Sequence, residues 1–393
     1  MEKKFKESYI IDAIRTPLGR RNGLLKDLHA VDLLAIPLKA VVGRNYIKLD
    51  QIDDIIAGCV TQIGEQGANV ARNAGLSAGF PETVPGTTVD RQCGSSLQAL
   101  QFADQGINSG FYNMVLAAGV ESMSRHTIGS NISKEKNPIT ASLEERYSLK
   151  GNWFSQAYGA ELIAKDRKLT RSELDEFSLR SHKAALRARD HFKREIIPVD
   201  IEISKDGETI AKKIDYDEGV RENTSMEKLA GLPPAFNGLE LITAGNSSQI
   251  SDGASAVLLA SEEAVEKNNL KPRARILSAS VVGVDPVTML TGPIPATRKA
   301  LERAGLDISQ IDLFEVNEAF APVPLAWLDE FDIDERKLNP NGGAIALGHP
   351  LGATGCRIVT TMINELKATG KKLGLIAICE GGGMSNSAII ELL

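Results

Sequence analysis

Four short segments of this 393-residue chain hold the residues whose types and spacing could do chemistry. The first is Val89-Asp90-Arg91-Gln92-Cys93-Gly94-Ser95-Ser96-Leu97-Gln98-Ala99, which sets a cysteine where a β-branched run gives way to a helical one. A helix start exposes unpaired N–H groups and partial positive charge, so a thiolate is favoured there and the pKa of Cys93 is expected to fall. A thiolate so placed offers nucleophilic attack. The second segment is Asn317-Glu318-Ala319-Phe320-Ala321. The third runs from Gly342-Gly343 to Gly348-His349-Pro350-Leu351-Gly352-Ala353-Thr354-Gly355, and the fourth is Cys379-Glu380-Gly381-Gly382-Gly383-Met384. Taken singly, each has a plain structural reading. Cys93 could be a packed helix-start residue, His349 a capped loop histidine, Gly381 to Gly383 a tight turn, and 317–321 the start of a helix.

The rest of the composition narrows the setting. Apolar residues at 42% and charged ones at 24% describe a globular chain able to bury two or three domain-sized cores. A net charge of −6 lacks the basic surplus of a nucleic-acid binder, yet leaves room for a local basic patch facing a phosphorylated ligand. The most apolar early stretch, Leu33 to Val42, is interrupted by Pro37 and Lys39, so no membrane span is expected. Met1 to Lys6 leads into no signal-peptide core, and a cytoplasmic location is the default expectation. Cys59, Cys93, Cys356 and Cys379 are too scattered for a disulfide framework, and no pair has CxxC spacing, so no metal site is expected. Cys59 and Cys356 sit in apolar or helical runs and carry no assigned chemistry. His29, His126, His182 and His191 read as surface or loop residues.

These segments need elements to position them, and the pattern supplies alternating strands and helices. Strands are expected at Ser8 to Ala13, Asp54 to Val60, Thr87 to Asp90 and Met114 to Ala118, with helices at Val31 to Arg44, Asn69 to Ala74 and Gly94 to Asn108. That alternation predicts an α/β fold with sheets buried on both faces. From Glu121 to about Glu240 the chain is more polar, with a loop-like stretch over 130–138. One helix there is opened by a Thr170/Glu173 capping box and runs to about Phe192. This region reads as an insertion that covers something, not as a core layer.

The alternation resumes after Pro272, and the sequence echoes itself. Gln51-Ile52-Asp53-Asp54-Ile55 resembles Gln310-Ile311-Asp312-Leu313-Phe314, 259 positions on. Val115 to Ala118, closing with Met123-Ser124, resembles Leu375 to Ile378, closing with Met384-Ser385 at nearly the same offset. Two copies of one unit are expected. The same offset carries Cys93 to Gly352, inside the His349 segment.

Together, in this order, the four segments resemble the thiolase family, and the resemblance runs from Arg15-Thr16-Pro17 to the last strand. It implies a duplicated five-layer αβαβα architecture with an inserted loop domain. The halves would be residues 1–120 plus 248–272 and residues 273–393, with 121–247 as the coenzyme A-covering insertion. It implies a reversible Claisen condensation and thiolysis between acetyl-CoA and acyl-CoA, through an acyl-cysteine. Cys93 matches the nucleophile, His349 its base, and Cys379 the second acid/base. Asn317 and His349 match one oxyanion site, and the backbone of Cys93 and Gly381 the other. Arg221 and Ser248 match coenzyme A contacts, the arginine by stacking and charge. Coenzyme A and acyl-CoA are then substrates, no metal or redox cofactor is needed, and a homodimer or homotetramer is implied.

The chain departs from the family pattern at several places. Ser96 stands where Cys-x-Ser-Gly has glycine, and Ser385-Asn386-Ser387 replaces a glycine-containing run. Ala157-Tyr158-Gly159 stands where short-chain members carry His-Met-Gly, which opens the site to longer or branched 3-ketoacyl-CoA as well as acetoacetyl-CoA. Glu380 would raise a neighbouring thiol pKa if it faced the site, so it is expected to point away. Two other readings are a condensing enzyme with a decarboxylating donor, which Cys379 disfavours, and a non-catalytic acyl-CoA-binding relative. Gly75-Leu76-Ser77-Ala78-Gly79 matches the serine-hydrolase elbow only formally, since it follows a helix.

Overall fold

The computed structural model describes residues 6–133, 137–149, 154–205 and 208–393. Residues 1–5 of the amino-terminal stretch, and 134–136 of the loop expected over 130–138, lie outside them. The first half contains β1 (Ser8–Arg15), β2 (Gly19–Arg20), α1 (Ala30–Arg44), β3 (Asp54–Gly58), α2 (Val70–Ser77), β4 (Gly86–Val89), α3 (Ser95–Asn108) and β5 (Met114–Ser122). There follow α4 (Ala141–Tyr147), α5 (Gln156–Asp166), α6 (Arg171–Arg187), α7 (Arg189–Phe192), the hairpin β6 (Val199–Lys205) and β7 (Glu208–Ile214), and α8 (Met226–Ala230). Next come β8 (Ser251–Ser261), α9 (Glu262–Asn268), β9 (Ala274–Gly283), α10 (Pro293–Ala304), β10 (Leu313–Val316) and α11 (Pro322–Phe331). The chain ends with α12 (Ala344–Leu347), α13 (Thr354–Thr369), β11 (Leu373–Glu380) and β12 (Met384–Leu392). Among the described residues no helix is long and apolar enough to cross a membrane.

The main sheet runs β10-β11-β12-β9-β1-β8-β5-β3-β4, and its two halves repeat one pattern. In the first, β3 and β5 pair parallel, β5 and β8 antiparallel, β8 and β1 antiparallel. In the second, β10, β11, β12 and β9 do the same. The repeat reaches single hydrogen bonds. Asp53 accepts from the Asn113 and Met114 N–H groups, and Asp312, 259 residues later, accepts from those of Lys372 and Leu373. Helices α3 and α13 begin at the same offset.

The layers follow from which faces are apolar. Helices α1 and α2 bury Leu33, Leu38, Val70 and Ala74 against the outer face of the first half-sheet. Helices α10 and α11 bury Ala300 and Trp327 against Phe314 and Leu375 of the second. Between the sheets, Leu97 and Leu100 of α3 meet Ile358 and Val359 of α13, with Val115 and Ile378 on either side. That is five layers, αβαβα. A central helix is enclosed on every side, and every residue of α13 from Thr354 to Asn364 is buried. Gly355 permits the crossing, since a Cβ there would stand 2.1 Å from the Leu97 nitrogen.

The inserted region departs from expectation in two ways. Its Thr170 capping box forms, but the helix breaks at Ala188, where the chain turns so that Phe192 packs with Leu18, Ile196 and Leu347. Nor is the region only a cover. The stripe Leu174, Phe177 and the α5 residues Ala160 and Ile163 share the core of Phe314 and Trp327. It is pinned at its far side by Arg15 of β1, fully buried, which pairs with Glu195 at 2.7 Å and Asp217 at 2.6 Å.

Candidate active site

Cys93 sits in the turn between β4 and α3. That turn is tight enough to hold Gln92 at a φ of 47°, which non-glycine residues adopt only when their surroundings demand it. The surroundings are visible: the Asp90 carboxylate accepts the Gln92 N–H at 2.7 Å, and Ser95 Oγ accepts from the Arg91 N–H while donating to the Gln92 carbonyl. On the far side, Asn386 Nδ2 donates to the Gly94 carbonyl at 2.9 Å. The Ser385-Asn386-Ser387 run therefore braces the cysteine turn.

The glycine turn between β11 and β12 closes over this point. Gly382 and Gly383 have φ of 80° and 78°, a region where side chains are strained. The turn brings the Gly381 N–H near enough to favour a Cys93 thiolate, and Cys379, one residue from the end of β11, is close enough for the two sulfurs to feel each other's charge. Side chains of Gln92 and Gln156 both reach over Gly381.

His349 lies five residues before the start of α13. Thr354 Oγ1 donates to the Pro350 carbonyl at 2.8 Å, so its 2.7 Å contact with His349 Nδ1 must be received from an Nδ1–H. That assignment leaves Nε2 unprotonated, with Asn317 Nδ2 3.3 Å away. Asn317 in turn continues the β10–β11 ladder, its N–H bonded to the Ala377 carbonyl at 3.0 Å. Its own Oδ1 is buried without a protein partner. Asn317 and His349 are thus joined to each other and, through the Ala377 carbonyl, to the strand that carries Cys379; Cys93, Cys379, Gly381, Asn317 and His349 are all buried.

The electrostatics differ from the sequence-based expectation. Burial pushes the Cys93 thiol up to about 12, with Glu380 adding to it, while the Gly381 N–H and its own N–H pull the other way. Burial, then the charge of Arg357, lowers His349 to about 3. At rest the thiol and the imidazole are each neutral, and Cys93 is not the thiolate expected from a helix start, because desolvation outweighs the helix end. Burial and the neighbouring Cys93 and Glu380 likewise drive Cys379 well above its usual range. Glu380 is the second correction. It leaves β11 on the face opposite Cys379, as expected, but lands beside Gly94, where a Cβ would meet its Oε1 at 2.0 Å.

The two positions matched to coenzyme A lie on segments tied to the second and third motifs. Ser248 donates its N–H to the Ala319 carbonyl, next to Asn317-Glu318, and Gln249 ties the Gly219 carbonyl to those of Ile345 and Ala346. Arg221, exposed, follows Gly219 by two residues and donates its N–H to His182 Nδ1 at 3.3 Å. No direct contact joins Arg221 or Ser248 to Cys93. His182 is itself a correction: only 4% exposed, it is lowered to about 4 by burial and then by Arg221.

Sequence reading missed two positioning groups. Thr354 was visible only as part of the glycine-rich run. Glu318, buried, accepts from Ser181 Oγ, Asn339 Nδ2 and the Ile345 N–H, and so locks the second motif to the third and to α6. The unassigned cysteines stay structural: Cys59 is buried and Cys356 Sγ lies 3.4 Å from the Ser96 carbonyl. Ser77 ends helix α2 and donates to Asp32, so no hydrolase elbow exists there. Among the described residues no group of three or more His, Cys, Asp or Glu could hold a metal ion.

Comparison with known proteins agrees with this geometry. Residues 8–263 match the model of the thiolase N-terminal domain and residues 270–392 that of the thiolase C-terminal domain. The steroid 3-ketoacyl-CoA thiolase FadA6 of Mycobacterium tuberculosis is 50% identical, across 98% of this chain and 94% of that protein. A beta-ketoadipyl-CoA thiolase of Pseudomonas knackmussii is 42% identical, across 98% and 99%. The crystal structure of the Bacillus anthracis acetyl-CoA acetyltransferase superposes with a TM-score of 0.88 over the whole of both chains, at 37% identity. Human mitochondrial 3-ketoacyl-CoA thiolase gives the same TM-score and identity over 99% of each chain. By descent as well as by geometry, the chain belongs to the thiolase family.

Proposed function

We propose that this thiolase cleaves 3-ketoacyl-CoA through an acyl-Cys93 intermediate, and runs the same steps backwards in condensation. His349 Nε2 takes the Cys93 proton as the sulfur attacks the 3-keto carbon. The bond between carbons 2 and 3 breaks, its electron pair stays on carbon 2, and Cys379 supplies the proton that completes acetyl-CoA. A second coenzyme A gives its thiol proton to Cys379, attacks the acyl group, and releases Cys93, which regains its proton from His349. Negative charge on the thioester oxygens is met by Asn317 with His349, and by the N–H groups of Cys93 and Gly381. A neutral resting pair suits this order, since charge then separates only as substrate arrives. The observation that supports the reading is that the Gly381 N–H and Cys379 both lie close enough to Cys93 to act on its sulfur.

Arg221 and Ser248 are the groups we assign to coenzyme A, with residues 121–247 closing over it between halves 1–120 plus 248–272 and 273–393. We assign an acyl group larger than acetoacetyl. It rests on the steroid and beta-ketoadipyl relatives and on Ala157-Tyr158, where Ala157 is buried and Tyr158 half-exposed. A cytoplasmic homodimer or homotetramer is the form we expect. The test is kcat/KM for thiolysis across acetoacetyl-CoA, a long-chain and a dicarboxylic 3-ketoacyl-CoA. A preference of about tenfold or more for a larger substrate, the worth of a methylene or two of pocket contact, supports the assignment. Best activity on acetoacetyl-CoA overturns it.

A further inference from the structure

Far from Cys93, the molecule has a second concavity that acyl transfer does not use. Its volume is about 590 Å³, and Arg44, Arg194, Lys271, Arg273 and Lys367 line it against one carboxylate, Asp12. Helix α13 separates the two places. Thr354, which holds His349, starts the helix, and Lys367 lies 13 residues further, about 20 Å at 1.5 Å per residue.

The floor of this cavity is built. Asp12, 4% exposed, receives Arg273 Nη1 at 2.8 Å and Arg44 Nε at 3.3 Å, and Arg273 Nη2 donates to buried Asn364 at 2.8 Å. The Arg273 fork is therefore fixed before anything binds. Arg194, Lys271 and Lys367 rim it, and none has an ion-pair partner among the described residues. Five cations from four separate stretches meet one acid, in a chain whose net charge is −6. Gathering like charges is unfavourable unless an anion joins them. Arg44 and Lys367 also sit in the last turns of α1 and α13, where helix ends favour cations. Arg194 and Lys271 have no such reason to be there.

We propose that this cavity binds a compact oligophosphate, inorganic or carried by a nucleotide, at a site separate from that of acyl transfer. Its volume falls in the ordinary range for small-ligand pockets. A fixed guanidinium fork backed by exposed lysines suits several linked phosphate groups better than one. A concave site with a rigid base also favours a small ligand over an acidic protein segment.

The experiment is isothermal titration calorimetry of the intact protein with tripolyphosphate, pyrophosphate, ADP and monophosphate. Tripolyphosphate is expected to bind once per chain, about tenfold or more tighter than monophosphate, and to weaken as salt is raised. The double variant Lys271→Glu/Lys367→Glu should lose about tenfold or more in that affinity while its thiolysis kcat/KM stays at the wild-type value. ADP binding tighter than pyrophosphate identifies a nucleotide, and equal affinities identify inorganic phosphate chains. Three results overturn the proposal: no binding, affinity unchanged in the double variant, or tighter binding by an acidic peptide at the same residues.

Discussion

Glu121 and Glu380 occupy the same place in the two halves, 259 residues apart, near the ends of β5 and β11. Each lies under the helix-start turn of the opposite half: Glu121 under Gly352, Glu380 beside Cys93-Gly94. Burial pushes both carboxyls up. Hydrogen bonding then separates them. Glu121 collects the N–H groups of Val60, Thr61 and Gly352 and the Gln66 amide, all between 2.9 and 3.0 Å. The Asn386 N–H and the Arg91 charge lie near Glu380, yet neither of its oxygens makes a well-formed hydrogen bond, and Arg91 Nε is also unpartnered. Duplication supplied two equivalent turns. One is tied to a carboxylate, and the other, held by its own Asp90, Ser95 and Asn386 bonds, sits beside a carboxylate it leaves unsatisfied.

The widest difference between the turns is chemical. Cys93→Ser should abolish the acyl-enzyme seen by mass spectrometry and lower thiolysis by about 10³-fold or more, as loss of a nucleophile does. Cys379→Ala should still acylate but fail to complete carbon–carbon cleavage. Thiolysis persisting in the Cys93 variant would remove the basis for the comparison.

Next comes the difference in support. Glu121→Ala strands three buried N–H groups and should cost about 3 kcal/mol or more, read as a lower urea midpoint. Glu380→Gln removes a carboxyl that is poorly satisfied, and should cost nothing or stabilise at neutral pH. The pH dependence sharpens this. Because the folded pKa of Glu380 is raised, the unfolded chain loses that proton first as pH climbs past about 4.5. Wild type therefore loses stability relative to Glu380→Gln from that pH upward, by at most about 1.4 kcal/mol per pH unit. Parallel midpoints from pH 4 to 7 would show Glu380 already ionised at rest.

Orientation of the base should have a smaller effect. Thr354→Val keeps the shape but removes the acceptor for His349 Nδ1–H, and is expected to lower kcat by about 10- to 100-fold. Thr354→Ser should restore it, with KM little changed throughout.

The α/β alternation and the repeat were legible from the sequence, because buried strands and helix starts leave local patterns; the five layers came with the family resemblance of four segments in order. Three things were not. The Cys93 pKa was read from its helix end alone, whereas the sum of burial and Glu380 depends on tertiary packing. His182 lies on a charged helix, and only the fold shows that the loop before Arg221 comes down on it. The insertion reads as polar because its apolar stripe, Leu174 and Phe177 among them, is narrow; that narrow face still completes the second core.

Ser96 makes the subtlest contrast between the halves, since Gly355 is its counterpart 259 residues on. A side chain at 355 has no room, because it would strike the Leu97 backbone. At 96 there is room, and Ser96 Oγ accepts the Cys356 N–H at 3.0 Å. That N–H is in the first turn of α13, where helical partners are missing, so a side chain from α3 caps the neighbouring helix. Ser96 faces this helix contact and not Gly381, so its departure from the family glycine acts on packing. Ser96→Gly should therefore cost about 1 kcal/mol, the worth of a cap, and lower Tm by a few degrees. The ranking of acyl chain lengths should stay as in wild type. If that ranking changed while Tm held, Ser96 would belong to the substrate pocket, and the two helix starts would differ in specificity instead of in support.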